Sequence, residues 1–167
     1  MIYKVGGFSM NVKDLFETQR IINKNLTLNS QLDDYKIQTR KYLEFNVKIS
    51  ELANETKCFK YLMDTNNLID MQVVFKKYVS CLSQIITIGL DNNYSDITKI
   101  DVKPNDYCLS DQFLNLYIDI NDLIISPSKD HYLTLFEDIL SLAITLGFTQ
   151  NELKNEFSKN TYEKVAL

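Results

Sequence analysis

Between Glu44 and Glu55 four charged side chains recur at spacings of four, three and four residues: Glu44, Lys48, Glu51 and Glu55. Residues three or four apart share a helix face, so a helix here carries three carboxylates and one ammonium along one side. Carboxylates so placed suit two tasks. They can offer oxygen ligands to a hard cation, or form Glu–Lys pairs worth roughly a few tenths of a kcal/mol each. From the residues alone, the pattern reads as a ladder of surface pairs. Lys77, beside Lys76, reads in the same way as solvated charge.

Other chemistries find little material. The single histidine, His131, lies near an expected helix start and reads as a surface or capping residue. The three cysteines, Cys58, Cys81 and Cys108, are dispersed and form no CxxC pair. Zinc ligation and a disulfide framework are therefore not expected. Cys58 and Cys81 sit among apolar residues and read as small core hydrophobes, reduced in a cytoplasmic protein. There is no glycine-rich phosphate loop, and no Ser-His-Asp set can be assembled. Tyr and Phe at helical spacing read as core rather than as base-stacking platforms. The net charge of −4 argues against a nucleic-acid surface, which needs clustered Lys and Arg. No uninterrupted apolar run reaches the length of a membrane span, and Met1–Met10 lacks the long apolar region of a signal peptide.

The elements that must position these residues are helices. The 167 residues are 45% hydrophobic with only 4 Gly and 2 Pro, so one domain with long helices is expected. A leader over 1–9, expected to be flexible, precedes a domain over 10–167. The first helix is expected from Asn11, as N-cap, to about Leu26, with Val12, Leu15, Ile21, Ile22 and Leu26 as its apolar stripe. Asp33 and Asp34 open a second, running to about Tyr61 with Leu43, Val47, Leu52 and Phe59 as core. Asp64 to Asn67 reads as a connection. A third covers about Ile69–Leu90 and is apolar enough from Leu82 to be buried on most sides. Asp91–Leu109, with Pro104, is the longest expected loop. A fourth covers about Ser110–Ile125, burying Phe113, Leu114, Tyr117 and Ile118. After the Ser126-Pro127-Ser128 turn, a fifth runs from Lys129 to Leu146, closed by Gly147. Thr149 and Glu152 form a capping box for a last helix reaching about Asn160. The expected fold is an all-α bundle of five to six helices.

The stretch from Val47 to Glu55, Val-Lys-Ile-Ser-Glu-Leu-Ala-Asn-Glu, followed by Cys58-Phe59-Lys60-Tyr61, resembles the signature of the dimeric all-α dUTPases, relatives of the MazG-like nucleotide pyrophosphatases. The resemblance continues at Leu15-Phe16-Glu17-Thr18-Gln19, Lys77 to Leu90, Leu146-Gly147-Phe148-Thr149 and Phe157-Ser158-Lys159-Asn160. Five segments in one order are far more specific than one pentapeptide. The resemblance implies hydrolysis of dUTP to dUMP and pyrophosphate in a magnesium site. It also implies a homodimer with part of each pocket at the subunit interface. The family site pairs a Glu-x-x-Glu motif on one helix with a Glu-x-x-Asp motif on the next. Two facing helices then present four carboxylates to cations that bridge phosphate oxygens.

This chain departs from that pattern. The first motif falls on Lys48 and Glu51, the second on Lys77 and Ser80, so Glu51 alone keeps a ligand type. An ammonium has no lone pair to offer a metal. Leu62 stands where the family has Trp, and Thr161-Tyr162-Glu163-Lys164 only partly matches the phosphate-binding tail. Gln19, Asn54, Lys60, Lys159 and Asn160 do match and are candidates for a nucleotide pocket. The leading expectation is a catalytically degenerate homologue, a pseudoenzyme without cofactor that binds a dUTP- or dUMP-like nucleotide or a protein partner. Phage members of the family bind repressors, which makes a protein partner an expectation by analogy. A second reading is an active, magnesium-dependent dUTP diphosphatase with substitute ligands such as Glu44, Glu55 or Asp70. A third is a purely structural bundle. Lys48 and Lys77 are expected in the space of the lost metals, pairing with Glu51 or, less favoured, holding phosphate directly. Nucleic acid and membrane are not expected partners.

Overall fold

The structure is a computed structural model and describes residues 6–63 and 67–165, with side chains as far as Lys159. Its elements in order are β1 (Phe8–Asn11), α1 (Lys13–Lys24), α2 (Asp34–Thr56), α3 (Met71–Asp91), β2 (Lys99–Val102), α4 (Leu109–Ile125), α5 (Lys129–Leu146) and α6 (Gln150–Val165). The helices are those expected, with one addition. β1 and β2 pair antiparallel, Phe8 opposite Val102 and Met10 opposite Ile100. Phe8 and Ser9 are thus strand residues rather than leader. Gly7 is held too, since a Cβ there would lie 2.5 Å from the Val102 carbonyl oxygen. The loop expected over Asp91–Leu109 contains β2.

Helix ends follow local chemistry. Asp33 and Asp70 accept from backbone N–H groups of the first turns of α2 and α3. Ser128 accepts from the His131 N–H, and the His131 ring contacts the Ser126 carbonyl at 2.7 Å. Thr149 and Glu152 form the capping box in both directions. Gly147 closes α5 at φ 81°, where a side chain would be strained. Two ends differ from expectation. Val12, not Asn11, is the N-cap of α1, and Asn11 instead accepts from the Lys13 N–H at 3.0 Å. α2 stops at Thr56 because Lys57 turns left-handed (φ 54°), well before Tyr61. In the Asp64–Asn67 connection, residues 64–66 lie outside those described.

α3 is the central element and packs against α1, α2, α5 and α6. By length and mean hydropathy it would pass as a membrane span. Its apolar side chains are instead the core: Val74, Tyr78, Leu82, Ile85, Ile86 and Ile88 are fully buried. Gly89 lets α5 approach, since a Cβ there would meet the Tyr132 hydroxyl at 2.1 Å. Tyr132 donates to the Ile85 carbonyl and Tyr78 to the Ile139 carbonyl, so each helix of the α3–α5 pair sends one tyrosine into the other's backbone. Several expected core residues are on the surface. Leu43, Val47, Phe59, Leu114 and Ile118 are exposed, as are Ile21 and Leu26.

At the α4–α5 contact, Asp119 faces Asp138, and the buried Asp119 Oδ2 atom receives no hydrogen bond while the carboxyl is ionised. Burial first, then the hydrogen bond with Asp138 and the charges of Asp138 and Asp122, push the Asp119 carboxyl up to about 7; His131 acts in the opposite direction. An unfolded Asp titrates near pH ~4. Across the interval between these values the folded chain holds a proton that the unfolded chain has lost, so this group lowers stability as pH rises through the interval. Asp119→Asn should therefore raise the urea midpoint above neutrality and leave it unchanged in acid. Midpoints that run parallel to the parent at every pH would show that Asp119 does not hold this proton.

Candidate functional site

α2 and α3 lie antiparallel, and four polar links among the described residues cross between them. Near one end the Lys41 ammonium meets Asp91 at 2.6 Å. In the middle Lys48 donates to Gln84 Oε1 at 2.8 Å, while Gln84 itself donates to the Lys41 carbonyl. Further along, Lys77 donates to Glu51 Oε2 at 2.7 Å. Lys48 also pairs with Glu44 at 2.9 Å. The two helices face each other, and of the four motif positions Glu51 and Lys77 meet across them, whereas Lys48 turns to Gln84 and Glu44 rather than to Glu51 as expected. Gln84, buried, is the member that sequence reading missed. Nothing local marks a partner 36 residues from Lys48.

The electrostatics follow from these contacts. The hydrogen bond to Glu51 raises the Lys77 pKa; burial opposes it, and the charges of Glu51 and Glu55 add to the rise. Cys81 lies behind the pair. Burial pushes its thiol up to about 12, despite the opposing fields of Lys48 and Lys77. It is a protonated core residue and no nucleophile. Cys58 is only half-buried.

Asn46, Ser50, Glu51, Asn54 and Glu55 of α2 and Lys77 of α3 line a cleft of about 550 Å3. Ser50 and Asn54 also border a second, apolar groove of about 480 Å3 between α2 and α4. The remaining candidates are dispersed. Gln19 is buried between α1 and α3, accepting from Ser83 at 2.6 Å and donating to Asn23 at 2.8 Å. Lys60 lies in the segment after α2 and donates to Asn67. Lys159 lines a different cavity, of about 610 Å3, with Lys76, Phe75 and Phe148. Asn160 lies in α6, its side chain outside those described. Ser80 is half-buried on α3.

A family model described as dUTPase matches residues 11–164. The chain belongs to the all-α dimeric dUTPase family. No curated protein and no solved structure matches it. At the positions to which the resemblance assigns the family's ligands stand Lys48, Glu51, Lys77 and Ser80. Among the described residues no group of three or more His, Cys, Asp or Glu could hold a metal ion. The residues therefore do not fit the family's magnesium cluster. The substitute ligands are also engaged or dispersed: Glu44 pairs with Lys48, and Asp70 caps α3. The Glu55 side chain, by contrast, makes no hydrogen bond or ion pair among the described residues.

The two lysines have different weight. Lys77 and Glu51 are both more than a third exposed, so their pair stabilises by about 1 kcal/mol at most. Lys48 is three-quarters buried and satisfies an oxygen of the buried Gln84. Lys48→Met should cost about 1–3 kcal/mol through that orphaned oxygen, and Lys77→Met about 1 kcal/mol or less. Urea unfolding of the two variants checks the order; a costlier Lys77→Met would contradict it.

Proposed function

We propose that this chain is a catalytically silent member of the dUTPase family, kept as a homodimeric binding protein. The observation that carries the reading is the Lys77–Glu51 contact, in which the one retained ligand carboxylate is paired with an ammonium of the chain itself. A doubly charged cation about 4 Å from such an ammonium meets a repulsion of roughly 8 kcal/mol at an effective dielectric of 20. A carboxylate at the same distance does no more than cancel that repulsion, so the pair offers a dication no net attraction. An active enzyme with substitute ligands is disfavoured because Glu44 and Asp70 are already used elsewhere in the fold.

The homodimer is supported by side chains that the bundle leaves uncovered. Leu43 and Val47 of α2 and Leu114 and Ile118 of α4 are 62%, 48%, 60% and 57% exposed. They flank the Ser50–Tyr117 hydrogen bond that joins the two helices. Contiguous apolar surface of this kind is what a partner subunit covers. A conventional nucleotide pocket has less support, because Gln19 is committed to Ser83 and Asn23, and Lys159 borders a cavity other than that of Glu51 and Asn54.

Pyrophosphate release from dUTP, measured at high protein concentration with magnesium and again with manganese, tests the reading. The expected result is no release above buffer. Metal-dependent release that disappears in Glu51→Gln would overturn it.

A further inference from the structure

The side of α2 turned away from the core carries an unbroken seam. Phe45, Ile49, Leu52 and Thr56 are the buried side chains of this helix. On the opposite side Arg40, Leu43, Val47, Ser50 and Asn54 recur at spacings of three, four, three and four residues, and all five are exposed. That alternation keeps side chains in line and is the spacing by which one helix packs lengthwise against another. α3 and α4 flank α2, through Lys77–Glu51 and Ser50–Tyr117, and leave the seam open.

The seam is self-complementary about Val47. Arg40 lies two helical turns before it and Asn54 two turns after, about 10 Å along the axis each way. A second copy of α2, laid antiparallel across a two-fold axis at Val47, sets each Arg40 beside the other's Asn54 and Glu55, and each Leu43 against the other's Ser50. The Ser50 hydroxyl is already used by the Asn46 carbonyl and Tyr117, so what it offers the partner's Leu43 is room. The charges match as well. The Arg40, Asn54 and Glu55 side chains make no hydrogen bond or ion pair among the described residues. Within one chain Arg40 and Glu55 cannot meet, because they stand roughly 22 Å apart along a single helix. Glu44 and Glu51, beside the seam, each hold a lysine of their own chain and bring no unpaired charge to it.

We infer that a second copy of this chain docks through α2 in this register, the Arg40 of each chain closing the cleft of the other on Glu55 and Asn54. The inference rests on the homodimer proposed above and deepens it, naming the residues that meet. A guanidinium carries five N–H donors in a fixed fork, enough for the Glu55 carboxylate and the Asn54 side-chain oxygen together. Two-fold symmetry makes the contact twice, so each substitution acts at both ends of the interface.

Sedimentation equilibrium of the full chain and its variants tests the register. The parent is expected to be a concentration-dependent dimer. Arg40→Glu and Glu55→Arg should each raise the dimer dissociation constant about tenfold or more, and the double variant should return to within about threefold of the parent. Restoration by the second reversal cannot come from misfolding. Single reversals without effect, or a double variant as weak as the two losses multiplied, would overturn the pairing. Val47→Glu separates it from its premise. A dimer that Val47→Glu dissociates and the charge reversals leave intact keeps the homodimer and overturns the register. A dimer indifferent to all three substitutions uses another face and also overturns it, and a parent that stays monomeric overturns the homodimer reading itself.

Discussion

The contact of Lys77 with Glu51 decides what the α2–α3 cleft can hold, because it places the counter-charge within the chain. Facing helices that carry four carboxylates need external cations between them. Here the corresponding positions carry one carboxylate, two ammonium groups and one hydroxyl. Across the two helices run the contacts Lys77–Glu51, Lys48–Gln84 and Lys41–Asp91. The Glu55 side chain, which lines the same cleft, makes no hydrogen bond or ion pair among the described residues.

The fold tolerates this change because it does not depend on the site. Its central helix is fixed by apolar burial, by the close passage of α5 at Gly89 and by the reciprocal tyrosine bonds of Tyr78 and Tyr132. None of these touches the motif positions. Side chains at the motif positions can therefore change without disturbing this packing, and fold and family membership do not by themselves establish activity.

Much of the architecture was legible because its signals are local. Ser128 and Gly147 bracket α5, and the Thr149–Glu152 box opens α6 within a single turn. The end of α2 was not legible, since Lys57 takes a left-handed conformation without the Gly or Asn that usually marks one. β1 and β2 were missed because each has four residues and their pairing joins segments about ninety residues apart. The errors in the core have a different cause. Leu43, Val47, Leu114 and Ile118 are spaced for burial, and periodicity does not say whether the covering surface is the same chain or another. At the site, the pairing of Lys77 with Glu51 was among the contacts the sequence reading expected. The buried Gln84, the committed Gln19 and the unpaired Glu55 emerge only from the three-dimensional packing.

The central claim is that the lysines themselves, and not a wider decay of the bundle, exclude the metal. Restoring the carboxylates tests it most directly: manganese affinity of the Lys48→Glu, Lys77→Glu, Ser80→Asp triple variant, read by electron paramagnetic resonance beside the parent chain. The account predicts no specific manganese site in the parent and a saturable one in the triple variant that Glu51→Gln removes. A parent chain that binds manganese as tightly as the triple variant would contradict it.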